Sequence, residues 1–310
     1  MKRCPGPRLG AAVAGLLCLV AVAFPSWGSA AFPGRNGNIA FWGRIGGGPA
    51  SIYTIRPNGT HRKRLMPRTP REAISPSFSA NGKEIVFKRY VGHGNYELYK
   101  MRADGSHKVR LTGTKTPEHS PAFSPNGHRI VFERGTELGF EIFTIRANGS
   151  HERRLTHNAV DDSSGKFSPR SGARIVFNRE WDLATMRADG THQHRITKPT
   201  PNIFEGAPDF SPNGKRIVFE RSRLGTETSQ IFKVRTNGTH LRRLTPRTAA
   251  SDERPVFSPN GKKIAFDSDR RRPGYGNDRI YVMRRDGTRL KRVHTGKHLE
   301  AVQPSWGIRP

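Results

Sequence analysis

Cysteine is nearly absent: the 310 residues hold two, Cys4 and Cys18, both near the N-terminus. The body of the chain therefore has no disulfide, no thiol nucleophile and no thiolate metal site, and its stability must come from packing. Acids are scarce as well. Asp and Glu number 25 against 54 Lys and Arg, a net charge of +29, and 39 of those bases are arginine. A surplus of that size attracts anionic partners and bears on solubility rather than on fold. Long apolar runs are missing too. The longest, Leu9 to Phe24, falls short of the roughly 20 residues that a spanning helix needs. Hydrophobic residues make up only 34% of the chain, whereas 33 Gly, 23 Pro and 17 Phe point to many short strands and tight turns and away from a helix bundle.

Lys2, Arg3 and Arg8 precede that apolar run, and the small residues Gly28, Ser29 and Ala30 follow it, the layout of a cleaved secretory signal. Residues 1–30 are read as the signal, with cleavage after Ala30 and export of residues 31–310. Cleavage would remove both cysteines and three bases, leaving a net charge of +26. Leu17 stands before Cys18 where a lipid-anchor signal needs a small residue, which argues against lipidation.

The rest is one unit written six times. FSPNGKRIVFE from Phe210 has near copies in FSANGKEIVFK from Phe78, FSPNGHRIVFE from Phe123, FSPRSGARIVF from Phe167 and FSPNGKKIAFD from Phe257. The leading aromatic recurs at 78, 123, 167, 210 and 257 and then as Trp306, at spacings of 43 to 49 residues. That is the period of a propeller blade. A second unit keeps step: IYTIRPNGT from Ile52, LYKMRADGS from Leu98, IFTIRANGS from Ile142, LATMRADGT from Leu183, IFKVRTNGT from Ile231 and IYVMRRDGT from Ile280. Asn-Gly or Asp-Gly after an apolar run is a strong hairpin signal, so each period reads as four short antiparallel strands. Repeated radially, they predict an all-β, six-bladed β-propeller filling residues 31–310. The first blade opens on its second strand, GNIAFW from Gly37, while the chain ends on an orphan first strand, QPSWG from Gln303. The C-terminal strand is therefore expected to complete the first blade, closing the ring without a free sheet edge.

The alternation P-x-[FW]-S-P-[ND]-G, an [IV]-[VA]-F strand, an [IL]-[YF]-x-[IMV]-R strand and [ND]-G-[TS]-x-x-x-R-[LI]-T runs in phase from Gly37 to Gly307. It resembles the WD40-like propeller repeat of the TolB family. The resemblance implies a six-bladed propeller outside the cytoplasm that binds other proteins at the mouth of its central channel, with no chemistry of its own. Two departures stand out. TolB proteins carry an α/β domain ahead of the propeller, whereas here about six residues separate Ala30 from the first strand, and the turn Asp common in the family is Asn at 81, 126, 213 and 260. Blade four is irregular, with Arg170 and one extra residue in its first turn and a short link from Asn178 to Asp182.

Three sets of polar side chains follow the repeat. His61, His107, His151, His192 and His240 stand three places after the turn Asn or Asp, with Arg289 there in blade six. Their hairpins lie at the outer edge, which puts neighbouring copies roughly 20 Å apart, against zinc–ligand bonds of about 2 Å. They read as solvated turn positions, and no metal or cofactor is assigned. Arg56, Arg102, Arg146, Arg187, Arg235 and Arg284 precede the turn, and Arg64, Arg110, Arg154, Arg195, Arg243 and Arg292 follow it. This belt is either a surface for anionic envelope polymers or a solvated face whose guanidinium groups pair locally. No base-reading fold is present and the aromatics fall at core phases, so specific nucleic-acid recognition is not expected.

The links between blades lie on the opposite face, and each carries an acid: Glu72, Glu118, Asp161 and Asp162, Glu205, Asp252 and Glu253, and Glu300. They lead into innermost strands and so converge on the channel mouth. Glu72, Glu118, His119, Asp162, Glu205, Asp252 and Glu300 are the candidate ring for a protein or basic-peptide partner. The alternative is that these acids cap turns and balance bases such as Arg71, Lys115 and Arg254. An enzyme is the rival class: a metal-assisted lyase or hydrolase with a funnel site would draw on His119 with Glu118, His157 with Asp161, or His298 with Glu300. No H-E-x-x-H or G-x-S-x-G occurs, and Asp267-Ser-Asp269 lacks the remaining ligands of a calcium loop. The sequence reads as an exported, monomeric, non-enzymatic interaction or scaffold module of the cell envelope.

Overall fold

A computed structural model describes residues 31–67, 69–226, 228–270 and 277–309. The expected signal, with Cys4 and Cys18, lies outside the described residues. Six four-stranded antiparallel sheets form the blades of a propeller, and no helix occurs among the described residues. Blade 2 shows the pattern: Ala73–Phe78 innermost, then Glu84–Gly92, Asn95–Arg102 and the two-residue outer strand Val109–Arg110. The innermost strands of blades 3 to 6 are Glu118–Phe123, Asp162–Phe167, Ile203–Phe210 and Asp252–Phe257. Blade 1 is closed by the C-terminus, as expected. Leu299–Ile308 pairs antiparallel with Asn36–Ile45, placing Trp306 opposite Ile39 and Glu300 opposite Arg44.

The letters of the repeat have local causes. In the first hairpin of blade 2, Ser79 Oγ donates to Asn81 Oδ1 at 2.8 Å and accepts the Glu84 N–H at 2.9 Å, while Asn81 Oδ1 accepts the Lys83 N–H at 3.0 Å. The same turn recurs at Ser124–Asn126, Ser211–Asn213 and Ser258–Asn260. Only a side-chain oxygen two residues after the serine is used, so Asn serves there as Asp would. In the outer hairpin Gly105 has a φ of 93°, and a Cβ there would meet the Leu65 carbonyl of the preceding blade at 2.7 Å. Glycine alone meets both demands.

The Ile-Val-Phe triplets fill the space between blades; Ile85, Val86 and Phe87 are fully buried, as are Ile130, Val131 and Phe132. Stacked rings join second to third strands in Phe41–Tyr53, Phe87–Tyr99, Phe132–Phe143 and Phe266–Tyr281, with centroids 5.6 to 6.0 Å apart. Each such pair adds about 0.5–1.5 kcal/mol beyond burial. Blade 4 has Ala184 opposite Phe177, and the Arg179 guanidinium covers that ring at 5.2 Å instead.

Every innermost strand carries a bulge with a residue in left-handed conformation: Ser75, Ser120, Ser164, Ala207, Arg254 and Gln303, at φ of 50 to 60°. The bulge serves to join blades. The N–H groups of Ser164, Arg254 and Gln303 reach the carboxylates of Glu133, Glu220 and Asp267 on the preceding blade, at 2.5, 2.8 and 3.0 Å.

Candidate functional site

Antiparallel strands put all first-to-second and third-to-fourth hairpins on one face, the turn face. The blade links and the second-to-third hairpins occupy the other, the link face. On the link face the structure draws the repeated acids inward. Glu118, Asp162, Glu205, Asp252 and Glu300 are buried. Each pairs with an arginine at or near the end of the neighbouring second strand: Glu118 with Arg134 at 3.0 Å, Asp162 with Arg179 at 2.8 Å, Glu205 with Arg221 at 3.4 Å, Asp252 with Arg270, and Glu300 with Arg44. Register explains the pairs, since Glu118 and Arg134, Asp162 and Arg179, and Glu205 and Arg221 stand directly opposite. Threonine of the R-L-T motif adds a bond, Thr112 Oγ1 donating to Glu118 Oε2 at 2.6 Å. Burial pushes the Glu118, Glu205 and Asp252 carboxyls up, against these donors. Glu72 differs: half-buried, it accepts the Tyr96 hydroxyl at 2.9 Å. Five of the six links thus carry an acid in an ion pair that pins the link to its blade, the alternative the sequence left open for the acidic ring. Arg134, Arg179 and Arg221, each two places after the Phe of its triplet, were the signal for three of these pairs in the sequence.

His119 is turned away from Glu118. Its Nδ1 lies 2.5 Å from Lys88 Nζ, and its ring sits between Tyr96 and Phe140. Burial and the Lys88 charge push the imidazole down to about 2, and burial pushes Lys88 down to about 8. His119 is therefore a neutral acceptor inside the wall. His157 and His298 are exposed, and among the described residues no three His, Cys, Asp or Glu side chains converge as metal ligands. The five repeated histidines sit in outer turns at φ of 50 to 59°, His61 Nδ1 lying 3.0 Å from the Thr60 hydroxyl.

Beside charged residues such as Glu137, Glu180 and Arg223, the link face exposes four large apolar side chains. Ile45, Leu138, Trp181 and Leu224 stand at the second-to-third connections of blades 1, 3, 4 and 5, with 42 to 62% of each side chain in water. No repeat position marks them, because these connections vary in length and sequence, and sequence reasoning missed them.

The rim arginines fall into two groups. Arg110, Arg154 and Arg195 of blades 2, 3 and 4 pair with Glu97, Glu141 and Asp182, the residues leading into each third-strand apolar run. In blades 1, 5 and 6 that position holds Ser51, Gln230 and Arg279. Arg64 there donates to Ser51 Oγ at 3.0 Å, Arg292 reaches His294, and Arg243 is exposed. On the turn face, at the seam of blades 6 and 1, a cavity of about 1420 Å³ is lined by Arg56, Lys263, Arg284, Arg289, Lys291, Arg292 and Arg309 with no acid.

The family model of the TolB β-propeller domain matches residues 33–203 and 191–309. No curated protein matches the chain. Among solved structures, TolB from Acinetobacter baumannii is 20% identical with a TM-score of 0.73, over 88% of this chain and 67% of that one. A putative TolB from Agrobacterium tumefaciens is 21% identical with a TM-score of 0.63, over 83% and 88%. An oligogalacturonate lyase in complex with manganese is 12% identical with a TM-score of 0.58, over 86% and 78%. At these identities the structural likeness shows the fold alone.

Proposed function

The chain belongs to the TolB β-propeller domain family, and from that premise we propose that it is an exported, non-catalytic module that captures a protein partner on its link face. The observation that carries this reading is the placement of Ile45, Leu138, Trp181 and Leu224 around the face onto which the channel opens. Apolar side chains exposed on hairpins held rigid from below are what a docking surface requires. The buried acid–arginine pairs supply that rigidity. Glu72, Glu118, His119, Asp162, Glu205, Asp252 and Glu300 are then the support of the surface rather than its charge.

A second reading rests on the basic cavity. A cavity lined by seven bases and no acid suits an anionic envelope polymer, with Arg292 of the rim at its edge. The lyase reading has only the shared fold behind it.

Salt separates the first two readings. Residues 31–310, crosslinked to envelope material and washed at rising ionic strength, should keep a discrete protein at high salt, since apolar docking is little screened. The triple variant Leu138→Ser, Trp181→Ser, Leu224→Ser should lose it. Retention of polymer alone, released by salt, would transfer the function to the cavity.

A further inference from the structure

The first described residues lie inside the ring. Phe32 packs with Val86, Phe123 and Phe132 of blades 2 and 3, while Ala31 packs with Val218 and Phe257 of blades 5 and 6. Two consecutive residues thus touch opposite sides of the propeller and span its channel. Ala31 is 1% and Phe32 3% exposed. The Ala31 nitrogen lies 3.1 Å from Asp209 Oδ1, and Asp209 Oδ2 accepts the Phe257 N–H at 2.8 Å.

Within the columns of side chains that line the interior, buried acids outnumber buried bases. Three columns of side chains line the interior: the residue after each Ile-Val-Phe triplet, the residue before each inner aromatic, and the bulge residue. Their buried ionisable members are the acids Glu133, Asp209, Glu220 and Asp267 and the bases Lys88, Lys166 and Arg254. The columns hold one acid more than they hold bases. Buried carboxylates need a partner of opposite charge, and an amide N–H does not supply one. Lys166, near Asp209, makes no hydrogen bond through its Nζ, and burial holds the Asp209 carboxyl well above the usual range.

We propose that hydrolysis of the Ala30–Ala31 bond installs an α-ammonium inside the ring, where it forms a buried ion pair with Asp209 and fixes the new N-terminus across the channel. Water attacks the Ala30 carbonyl under catalysis by a leader peptidase, and the C–N bond breaks. Ala30 leaves as a carboxylate, and the Ala31 nitrogen takes up the protons to become –NH3+. That charge brings these columns to four of each sign. An uncleaved chain would place an amide, without a charge, against Asp209. The inference is independent of what the link face binds.

The test begins with the exported protein. Mass spectrometry of the N-terminal peptide should identify Ala31 as its first residue; any other start overturns the proposal. Acetylation by N-hydroxysuccinimide acetate, followed at that peptide, should label the α-amine at least tenfold more slowly in the native chain than in the urea-unfolded chain. Asp209→Asn, folded by circular dichroism, should recover most of that factor; unchanged protection would overturn the ion pair. If Asp209→Asn does not fold, a chain carrying one extra residue before Ala31 keeps Asp209 but displaces the amine by about 3.8 Å. Its amine should label rapidly, and equal protection there would overturn the proposal.

Discussion

The arginines of the R-L-T motif occupy one position of one repeat, yet they do two different things on the two sides of the ring. In blades 2 to 4 an acid leads into the third strand, and Arg110, Arg154 and Arg195 each cover a buried carboxylate. In blades 5, 6 and 1 that acid is replaced by Gln230, Arg279 and Ser51; Arg243 faces water, Arg292 borders the basic cavity, and Arg64 bonds the Ser51 hydroxyl and lies over the Tyr53 ring without covering a carboxylate. A motif residue alone therefore predicts location and not role. One other residue, distant in sequence, decides whether the arginine is structural or available to a ligand.

The comparison breaks most sharply in stability. Arg154→Ala leaves Glu141, already lacking a partner for one oxygen, buried without its cation. Removing one partner of a buried pair costs about 3 kcal/mol or more. In a chain of this size that lowers the melting midpoint by about 6–12 °C. Arg243→Ala, the same position in blade 5, should move it by no more than about 0.5 kcal/mol. Polyanion binding should show the opposite order. Arg284→Gln, Arg289→Gln and Arg292→Gln together should weaken heparin binding roughly tenfold and flatten its salt dependence, while the same changes at Arg102, Arg146 and Arg187 should have little effect.

Titration sharpens the picture at the link-face end of blade 6, where burial pushes the Asp278 carboxyl up to about 7 from its ordinary 3.8. The folded state then holds the proton more tightly than the unfolded state, so this group's contribution to stability falls as pH rises from about 4 to 7. Asp278→Asn should gain on the wild type by about 2–4 °C between pH 5 and pH 7.5 in thermal melts. The smallest effect concerns Trp181: exposed on its hairpin, its change to Ser should alter stability by less than about 0.5 kcal/mol while reducing partner capture.

The fold was legible because each repeat letter answers a local demand: Ser and Asn for a turn, Gly for a left-handed corner against a neighbouring carbonyl, and Ile-Val-Phe for the space between blades. Closure by the C-terminal strand followed from the missing first strand. The site was less legible. Glu118 and Asp162 were placed in the right loops, but whether they face water depends on register, which sets Arg134 and Arg179 opposite them. The apolar tips carry no repeat signal, since Leu138 and Trp181 occupy hairpins that differ in length from blade to blade. Insertion of Ala31 and Phe32 into the ring was invisible for another reason: nothing in a short segment says which blades it will touch.

The most direct test of link-face docking is oxidative footprinting of the captured complex against the free protein. Protection should fall on Leu138, Trp181 and Leu224, with His61 and His294 at the basic cavity reacting as they do in the free chain. Protection of His61 and His294, with Trp181 oxidised at its free rate, would contradict the account and move the partner to the opposite face.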